Sequence, residues 1–387
     1  MKKYELATSS WDEREYEAIE NVISSGKFTM GQKTSEFEGS FSQFIGSDYS
    51  IMVNSGSSAN LLAVAALFFK KKNPLKRGDE VIVPSVSWST SYYPLLQYGL
   101  KVKFVDIDVN TLNYDISALE TAISSNTRLI LIVNLLGNPN EFDEILRLSR
   151  KYNLYTIEDN CESMGAKYKN KFTGTFSDIG TFSTYFSHHI STMEGGIIVT
   201  ENEELYQIMI SLRAHGWTRD LPKNNKVVSK NKENFYESFN FILPGYNLRP
   251  LEISAAIGIE QIKKLPEIIK SRRKNAEIFK QLFENDDRFL IQSEIGESSW
   301  FGFSIVINPN HINKLERINI IKKLRNSKIE CRPIVAGNFT KNRVINFFDY
   351  KIHEALKNAD YIHENGFFVG NHHYDIEESL VYLKTIL

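Results

Sequence analysis

The chain has 387 residues, of which 42% are hydrophobic and 24% are charged, as in ordinary globular proteins. A formal net charge of -1 gives no electrostatic reason to expect nucleic acid or an anionic membrane as a partner. The longest apolar run, Leu61 to Phe69, is too short to span a bilayer and predicts a buried helix. The first residues, Met1 to Glu5, lack the apolar stretch of a signal peptide, so we expect a cytoplasmic protein.

Strand-like and helical segments alternate through about the first 240 residues. Near-continuous apolar strands between helices predict a mostly parallel sheet covered on both faces, with ligands bound beyond the carboxyl ends of the strands. The predicted strands are Tyr49 to Val53, Glu80 to Val83, Lys101 to Ile107, Leu129 to Asn134, Tyr155 to Glu158, Ile179 to Tyr185 and Ile197 to Val199.

The second part of the chain has a different pattern. The polar stretch from Pro222 to Asn234 predicts a surface loop, and Leu251 to about Lys280 has helical periodicity. Beyond about residue 290, the strand candidates are Gly302 to Ile307 and Ile329 to Pro333. We therefore expect a large α/β domain over residues 1–250, and a helical linker with a small α+β domain over residues 251–387.

The two cysteines, Cys161 and Cys331, limit the metal chemistry that this chain can support. An iron–sulfur cluster held by four thiolates, or a four-cysteine zinc site, needs more of them. In a cytoplasmic chain the two thiols are expected to be reduced. We therefore predict no metal site.

Three polar segments follow predicted strands. In Asn54 to Asn60, Gly56 and Ser57 open a helix whose free amides could bind phosphate, although a simple helix cap is the alternative. Asp159 could hold a ring nitrogen, face water or cap a helix. Trp88 could stack on a flat ring or simply pack in the core.

His188 and His189 precede a Glu194-Gly195-Gly196 turn. Adjacent histidines in an extended segment point in opposite directions and seldom share a metal, but either ring could move protons near neutral pH. Arg219 and Arg249 could bind a diphosphate or a sugar oxygen, with surface ion pairs as the alternative.

The segment from Ser183 to Gly196 is similar to the cofactor segment of the DegT/DnrJ/EryC1/StrS family, the sugar-modifying branch of the type I pyridoxal phosphate (aspartate aminotransferase-like) fold. In its aminotransferases, a lysine that holds the cofactor covalently occupies the position of His188. Imidazole cannot do this, so the resemblance implies the 3-dehydratase branch, with a non-covalently bound cofactor. The similarity runs from about residue 6 to the C-terminus. Its other segments are Phe28 to Gly31, Pro84 to Thr90, His215 to Arg219 and Gly245 to Pro250.

The resemblance also implies residue roles. Gly56 and Ser57 would hold the cofactor phosphate, Trp88 would stack on the ring and Asp159 would pair with its nitrogen. Glu162, where the aminotransferases usually have glutamine, would lie near the cofactor hydroxyl. The remaining cofactor residues would be Ser183, near the phosphate or ring, and Asn247, which would reach across a homodimer. Substrate-contacting positions would be Gly26, Lys27, Phe28, Thr29, His215, Arg219, Arg249 and Glu330.

The implied reaction removes the C3 hydroxyl from a GDP-linked 4-keto-6-deoxy sugar, using pyridoxamine phosphate that L-glutamate regenerates from pyridoxal phosphate. His188 would be the base and then the acid, because an ordinary histidine pKa of about 6.5 suits both directions. The product would be a precursor of a 3,6-dideoxy sugar such as colitose in an O-antigen or capsule. Alternatives are a heptose or another nucleotide sugar, an aminotransferase without its lysine, and a cofactor-binding regulator. With two cysteines, a route through an iron–sulfur cluster is not expected.

Overall fold

The computed structural model of the protein describes residues 3–231 and 233–387 and contains three sheets. The strands are β1 (Tyr49–Val53), β2 (Glu80–Pro84), β3 (Lys101–Val105), β4 (Thr127–Val133), β5 (Tyr155–Asp159), β6 (Lys167–Tyr168), β7 (Lys171–Phe172), β8 (Ile179–Ser183), β9 (Gly196–Thr200), β10 (Phe289–Ile291), β11 (Gly302–Ile307), β12 (Cys331–Arg332), β13 (Tyr350–Ile352) and β14 (Gly366–Gly370).

Helices cover the sheets. The α-helices are α1 (Glu13–Ser25), α2 (Gln32–Ile45), α3 (Gly56–Phe68), α4 (Ser89–Gln97), α5 (Ile116–Ala122), α6 (Phe142–Tyr152), α7 (Glu203–Arg213), α8 (Asn234–Glu237), α9 (Glu252–Phe283), α10 (Arg317–Asn326), α11 (Lys357–Asn365) and α12 (Glu377–Ile386). Short 3₁₀ helices span Leu135–Gly137, Pro309–His311, Phe339–Lys341 and Arg343–Phe347.

The first sheet has eight strands in the order β1-β9-β8-β5-β4-β2-β3-β13. Only β9 runs against its neighbours, and the other pairings are parallel. The predicted mostly parallel α/β sheet is therefore confirmed. Because β1, β2, β4, β5 and β8 share one direction, their carboxyl ends meet at one edge, and the segments that follow them converge there.

Helix α3 packs against the first sheet. Its residues from Leu62 to Leu67 are almost completely buried, as predicted for this apolar run. Such a helix has apolar side chains on all faces because it packs on β8 and β9 as well as on α4 and α7. Its first residue, Gly56, is thereby fixed at the carboxyl edge of the sheet.

The second sheet is antiparallel, in the order β10-β11-β14-β12. The 32-residue helix α9 connects it to the part of the chain that forms the first sheet. This helix packs on α1 and α2 near one end and on β10 and α12 near the other. The chain also crosses back, because β13, from the C-terminal part, pairs with β3 at the edge of the first sheet. The division at residue 250 stays a prediction.

The polar segment from Pro222 to Asn234 contains neither helix nor strand up to Asn231; α8 begins at Asn234. Lys232, like Met1 and Lys2, lies outside the described residues. Within the described part of the chain, no helix is long and apolar enough to cross a membrane.

Candidate active site

A cavity of about 400 Å³ lies at the carboxyl edge of the first sheet, beside the second sheet. Most of its lining comes from the segments after β1, β2, β5 and β8. The lining residues are Ser55, Gly56, Ser57, Ser87, Trp88, Thr90, Ser91, Val133, Asp159, Cys161, Glu162, Ser183, Tyr185, Ser187, His188, Glu194, Phe301, Arg332, Val335 and Phe368. All the predicted cofactor residues except Asn247 are among them, and so is His188.

The turn between β1 and α3 brings a helix N-terminus to the cavity. The Ser55 hydroxyl accepts a hydrogen bond from the Ser58 amide at 3.1 Å, so the predicted helix cap is present, and the same turn lines the cavity. A Cβ on Gly56 would lie 2.5 Å from the Ser183 Cβ. Only glycine fits there, and the start of α3 is suited to bind an anion.

Asp159 ends β5 with its carboxylate held by three donors. Its Oδ2 accepts hydrogen bonds from Asn60 Nδ2 at 2.8 Å and from Ser91 Oγ at 2.7 Å, and its Oδ1 accepts one from the Cys161 amide at 3.1 Å. The side chain is almost completely buried and yet lines the cavity. A carboxylate fixed in this way presents negative charge in one direction.

Glu162 and Trp88 both line this cavity. Burial raises the pKa of Glu162 to about 7, although the Leu136 amide donates to its Oε2 at 3.0 Å. This carboxyl group can therefore donate a hydrogen bond near neutral pH, as a glutamine amide would. Trp88 is 56% exposed, so its indole face is available for stacking instead of being packed in the core.

The two adjacent histidines have different surroundings. His188 lines the cavity, with its ring 5.3 Å from that of Phe301, and its buried Nδ1 has no hydrogen-bond partner among the described residues. His189 is buried, and its Nε2 lies 3.1 Å from the Ser299 carbonyl oxygen, away from the cavity lining. The geometry favours His188 as the proton-transfer group.

The pKa of His188 differs from the sequence-based expectation. Burial is the main cause that lowers it from 6.5 to about 4, and the positive charge of Arg272 acts in the same direction. The ring is therefore neutral at neutral pH and ready to accept a proton, and its conjugate acid would be a strong donor.

The predicted substrate residues lie outside this cavity. Arg219 stacks on Trp217, with its guanidinium carbon 4.2 Å from the ring centroid, and Arg249 lies 5.9 Å from the same ring. The Arg249 Nε donates to the Asn247 Oδ1 at 3.0 Å, and the His215 ring is 4.7 Å from Trp217. These residues form one cluster, which we call the Trp217 cluster.

Two further predicted substrate-binding positions lie outside both the cavity and the Trp217 cluster. Gly26 to Thr29 form an exposed turn after α1, held by a bridge from Thr29 to Leu251. Glu330 pairs with Lys3 at 2.5 Å and accepts from the Leu6 amide at 3.0 Å. Their roles in substrate binding stay predictions, as does that of the Trp217 cluster.

Sequence reasoning missed the cavity residues that the second sheet supplies. Arg332 on β12 and Phe368 on β14 are cross-strand partners, and Phe301 precedes β11. Arg332 lies in the strand candidate Ile329 to Pro333, two residues after the predicted substrate position Glu330, and this was the one available signal. Among the described residues, no group of three or more His, Cys, Asp or Glu side chains is placed to hold a metal ion.

The comparisons with known proteins agree with this geometry. The model of the DegT/DnrJ/EryC1/StrS aminotransferase family matches residues 9–378. The chain belongs to this family. It is 55% identical over 389 residues, covering 100% of both chains, to the GDP-4-keto-6-deoxy-D-mannose 3-dehydratase of Escherichia coli O55:H7 (strain CB9615 / EPEC).

Two solved structures share 55% identity with this chain and superpose with a TM-score of 0.97. One is GDP-4-keto-6-deoxymannose-3-dehydratase with a trapped PLP-glutamate geminal diamine, with coverage of 99% of this chain and 100% of that one. The other is the H188N mutant of that enzyme with bound GDP-perosamine, with coverage of 99% of each chain.

The cavity fits the cofactor of this family. It combines a helix N-terminus for a phosphate, an oriented carboxylate for a ring nitrogen, and an exposed indole for a flat ring. The unpartnered, buried Nδ1 of His188 adds a nitrogen that can accept a proton. No lysine lines the cavity within the described residues and imidazole cannot form a Schiff base, so these residues would hold the cofactor through noncovalent contacts.

Proposed function

We propose that this protein removes the C3 hydroxyl of a GDP-linked 4-keto-6-deoxy sugar, namely GDP-4-keto-6-deoxy-D-mannose. The observation that carries the proposal is His188, a neutral imidazole in the position and cavity where related aminotransferases have their lysine. The similarity of the whole chain to the E. coli dehydratase supports the same substrate.

When bound, pyridoxamine phosphate supplies the amino group that condenses with the sugar ketone and the ring that stabilises charge after a proton is removed. Gly56 and Ser57 at the start of α3 hold its phosphate, and Trp88 covers its ring. Asp159, fixed by Asn60 and Ser91, keeps the ring nitrogen protonated.

His188 moves the proton. Its neutral ring accepts a proton from the reacting carbon, and the resulting imidazolium gives that proton to the departing C3 hydroxyl, which leaves as water. His188 does not return the proton to the sugar C4, so no amine is left on that carbon. Water instead hydrolyses the C4–nitrogen bond, which restores the ketone and releases ammonia. The overall change converts the sugar nucleotide and glutamate into its 3-deoxy product, 2-oxoglutarate and ammonia.

A homodimer would complete the site. Asn247 is exposed and does not line the cavity of its own chain. We propose that it contacts the cofactor phosphate of the partner subunit, and that the Trp217 cluster and the turn from Gly26 to Thr29 approach the sugar nucleotide at the same interface. A cytoplasmic location stays a prediction, made because nucleotide sugars are assembled there.

The test is incubation of the purified protein with pyridoxal phosphate, glutamate and GDP-4-keto-6-deoxymannose. Mass spectrometry should show loss of one oxygen from the sugar nucleotide, with stoichiometric ammonia. An amino sugar as the product would refute the dehydratase assignment. No change, with a heptose nucleotide converted instead, would refute the six-carbon substrate, and no conversion of any sugar nucleotide would indicate a regulator.

A further inference from the structure

Arg332 is the one arginine or lysine among the described residues that line the cavity. The other charged lining groups are the carboxyl groups of Asp159, Glu162 and Glu194. Arg332 is exposed, and among the described residues no carboxylate lies within ion-pair distance of its guanidinium. Its charge acts on the Glu330 carboxylate, but Glu330 is paired with Lys3 at 2.5 Å, so the Arg332 guanidinium is available for an anionic ligand.

The second sheet places Arg332 at the cavity. On β12, Arg332 pairs with Phe368 of β14, and both side chains line the cavity. The nearby buried cation Arg272 is not an alternative, because its Nη1 donates to the carbonyl oxygens of Trp300 at 3.3 Å and of Phe301 at 3.1 Å. Arg272 also does not line the cavity.

The chemistry of the amino donor locates its carboxylate. An α-amino acid gives up its amino group only if a base removes the proton on its α-carbon. The α-carboxylate is bonded to that same carbon. Since His188 is the base in this cavity, the α-carboxylate must lie inside the cavity as well, among acidic groups that repel it unless a cation is present.

The diphosphate of the sugar nucleotide has different requirements. The sugar ring lies between the diphosphate and the reacting C3 and C4 atoms of the sugar. The diphosphate therefore lies farther from His188 than the α-carboxylate of the amino donor, which is bonded to the carbon that loses its proton. Arg219 and Arg249 of the Trp217 cluster, which do not line the cavity, suit this more distant anion.

We propose that Arg332 binds the α-carboxylate of the amino donor and so determines specificity for an α-amino acid in the re-amination half of the reaction. The planar fork of the guanidinium matches a carboxylate with two parallel hydrogen bonds. This inference rests on the proposed function, because it assigns the second substrate of the same site.

The experiment measures the two half-reactions separately for the variants Arg332→Gln and Arg332→Lys. In the first half-reaction, the re-amination, enzyme with pyridoxal phosphate is mixed with glutamate and followed by its absorbance. In the second, enzyme with pyridoxamine phosphate is mixed with the sugar nucleotide and followed by mass spectrometry. Calorimetry with glutarate, a dicarboxylate without the amino group, measures binding without turnover. Arg343→Gln, in an exposed arginine outside the cavity, is the matched control.

For Arg332→Gln, we expect the half-saturating glutamate concentration and the glutarate dissociation constant to rise about 10- to 100-fold. Arg332→Lys should be intermediate, because the charge remains without the fork. The sugar half-reaction should stay within about twofold of wild type.

Equal losses in both half-reactions, or a loss confined to the sugar half-reaction, would overturn the inference. Unchanged glutarate binding in Arg332→Gln would overturn it as well. If the wild-type protein converts no sugar nucleotide, the proposed function fails, while the glutarate comparison still decides whether Arg332 binds a carboxylate.

Discussion

His188 should remain neutral at a pH that protonates an exposed histidine. Burial lowers the pKa of His188 from 6.5 to about 4. This difference corresponds to about 3 kcal/mol in favour of the neutral ring. At pH 5, about 90% of the molecules should carry a neutral His188, compared with about 3% for a histidine of ordinary pKa.

The assay is an NMR titration of the cofactor-free protein with labelled imidazole rings. The chain has eight histidines, and His188→Asn identifies the resonance of interest by its loss. His311→Asn is the control, because this ring contacts Asp287 outside the site and its loss should leave the His188 signal in place. A titration midpoint near 6.5 for His188 would refute the reasoning.

The same pKa has a consequence for stability. The unfolded chain protonates this histidine below about pH 6.5, whereas the folded protein does so only near pH 4. The unfolded state thus binds more protons in this interval, and the free energy of unfolding falls as the pH falls. Between pH 7.5 and pH 5, the free energy of unfolding measured in denaturant titrations should fall by about 2 kcal/mol less for His188→Asn than for wild type.

Three further predictions concern the site. His188→Asn should reduce turnover by at least about 10²-fold and still bind pyridoxal phosphate, whereas His189→Asn should keep more activity, as measured by sugar conversion and cofactor absorbance. Gly56→Ala should weaken cofactor binding by about 1–3 kcal/mol in equilibrium titrations, because the new Cβ would lie 2.5 Å from the Ser183 Cβ. Asn247→Ala should be inactive alone but active when mixed with His188→Asn, since in a mixed dimer one shared site has both native residues.

Controls distinguish these effects from general damage. A Cβ added at Gly39 in α2 would meet no atom within 4 Å beyond its chain neighbours and its own helix backbone, so Gly39→Ala should bind the cofactor as wild type does. A more active His188→Asn than His189→Asn would reverse the assignment of the base. If mixing the Asn247 and His188 variants restores no activity, the site is not shared between subunits.

Much of the fold follows from local patterns. The predicted strands of the first sheet are present because their apolar runs are buried between helices, with boundaries shifted by a few residues. The strands not predicted are short or lie in the second part of the chain, such as β13, which has three residues, two of them exposed. Its pairing with β3 depends on contacts far apart in sequence, which no local pattern shows.

The candidate site was predictable where one segment carries the chemistry. Gly56, Asp159 and His188 each lie at or beyond the carboxyl end of a strand of one sheet, so the parallel topology brings them together. Arg332 comes from a different sheet, and no spacing along the chain places it beside them. The pKa of His188 also escaped prediction, because it depends on burial and on the charge of Arg272.

The position of β13 affects how the chain must be made. The outer edge of β3 (Lys101–Val105) stays unpaired until Tyr350 has left the ribosome, which takes roughly 10–50 s after β3 is synthesised. An open strand edge is a template for aggregation, and charged side chains on it counteract this. Lys101 and Lys103 alternate along this strand. Lys103 pairs with Glu80 of β2 at 2.6 Å, whereas Lys101 is exposed. Lys101 would therefore protect the nascent protein during the interval in which its main sheet is incomplete.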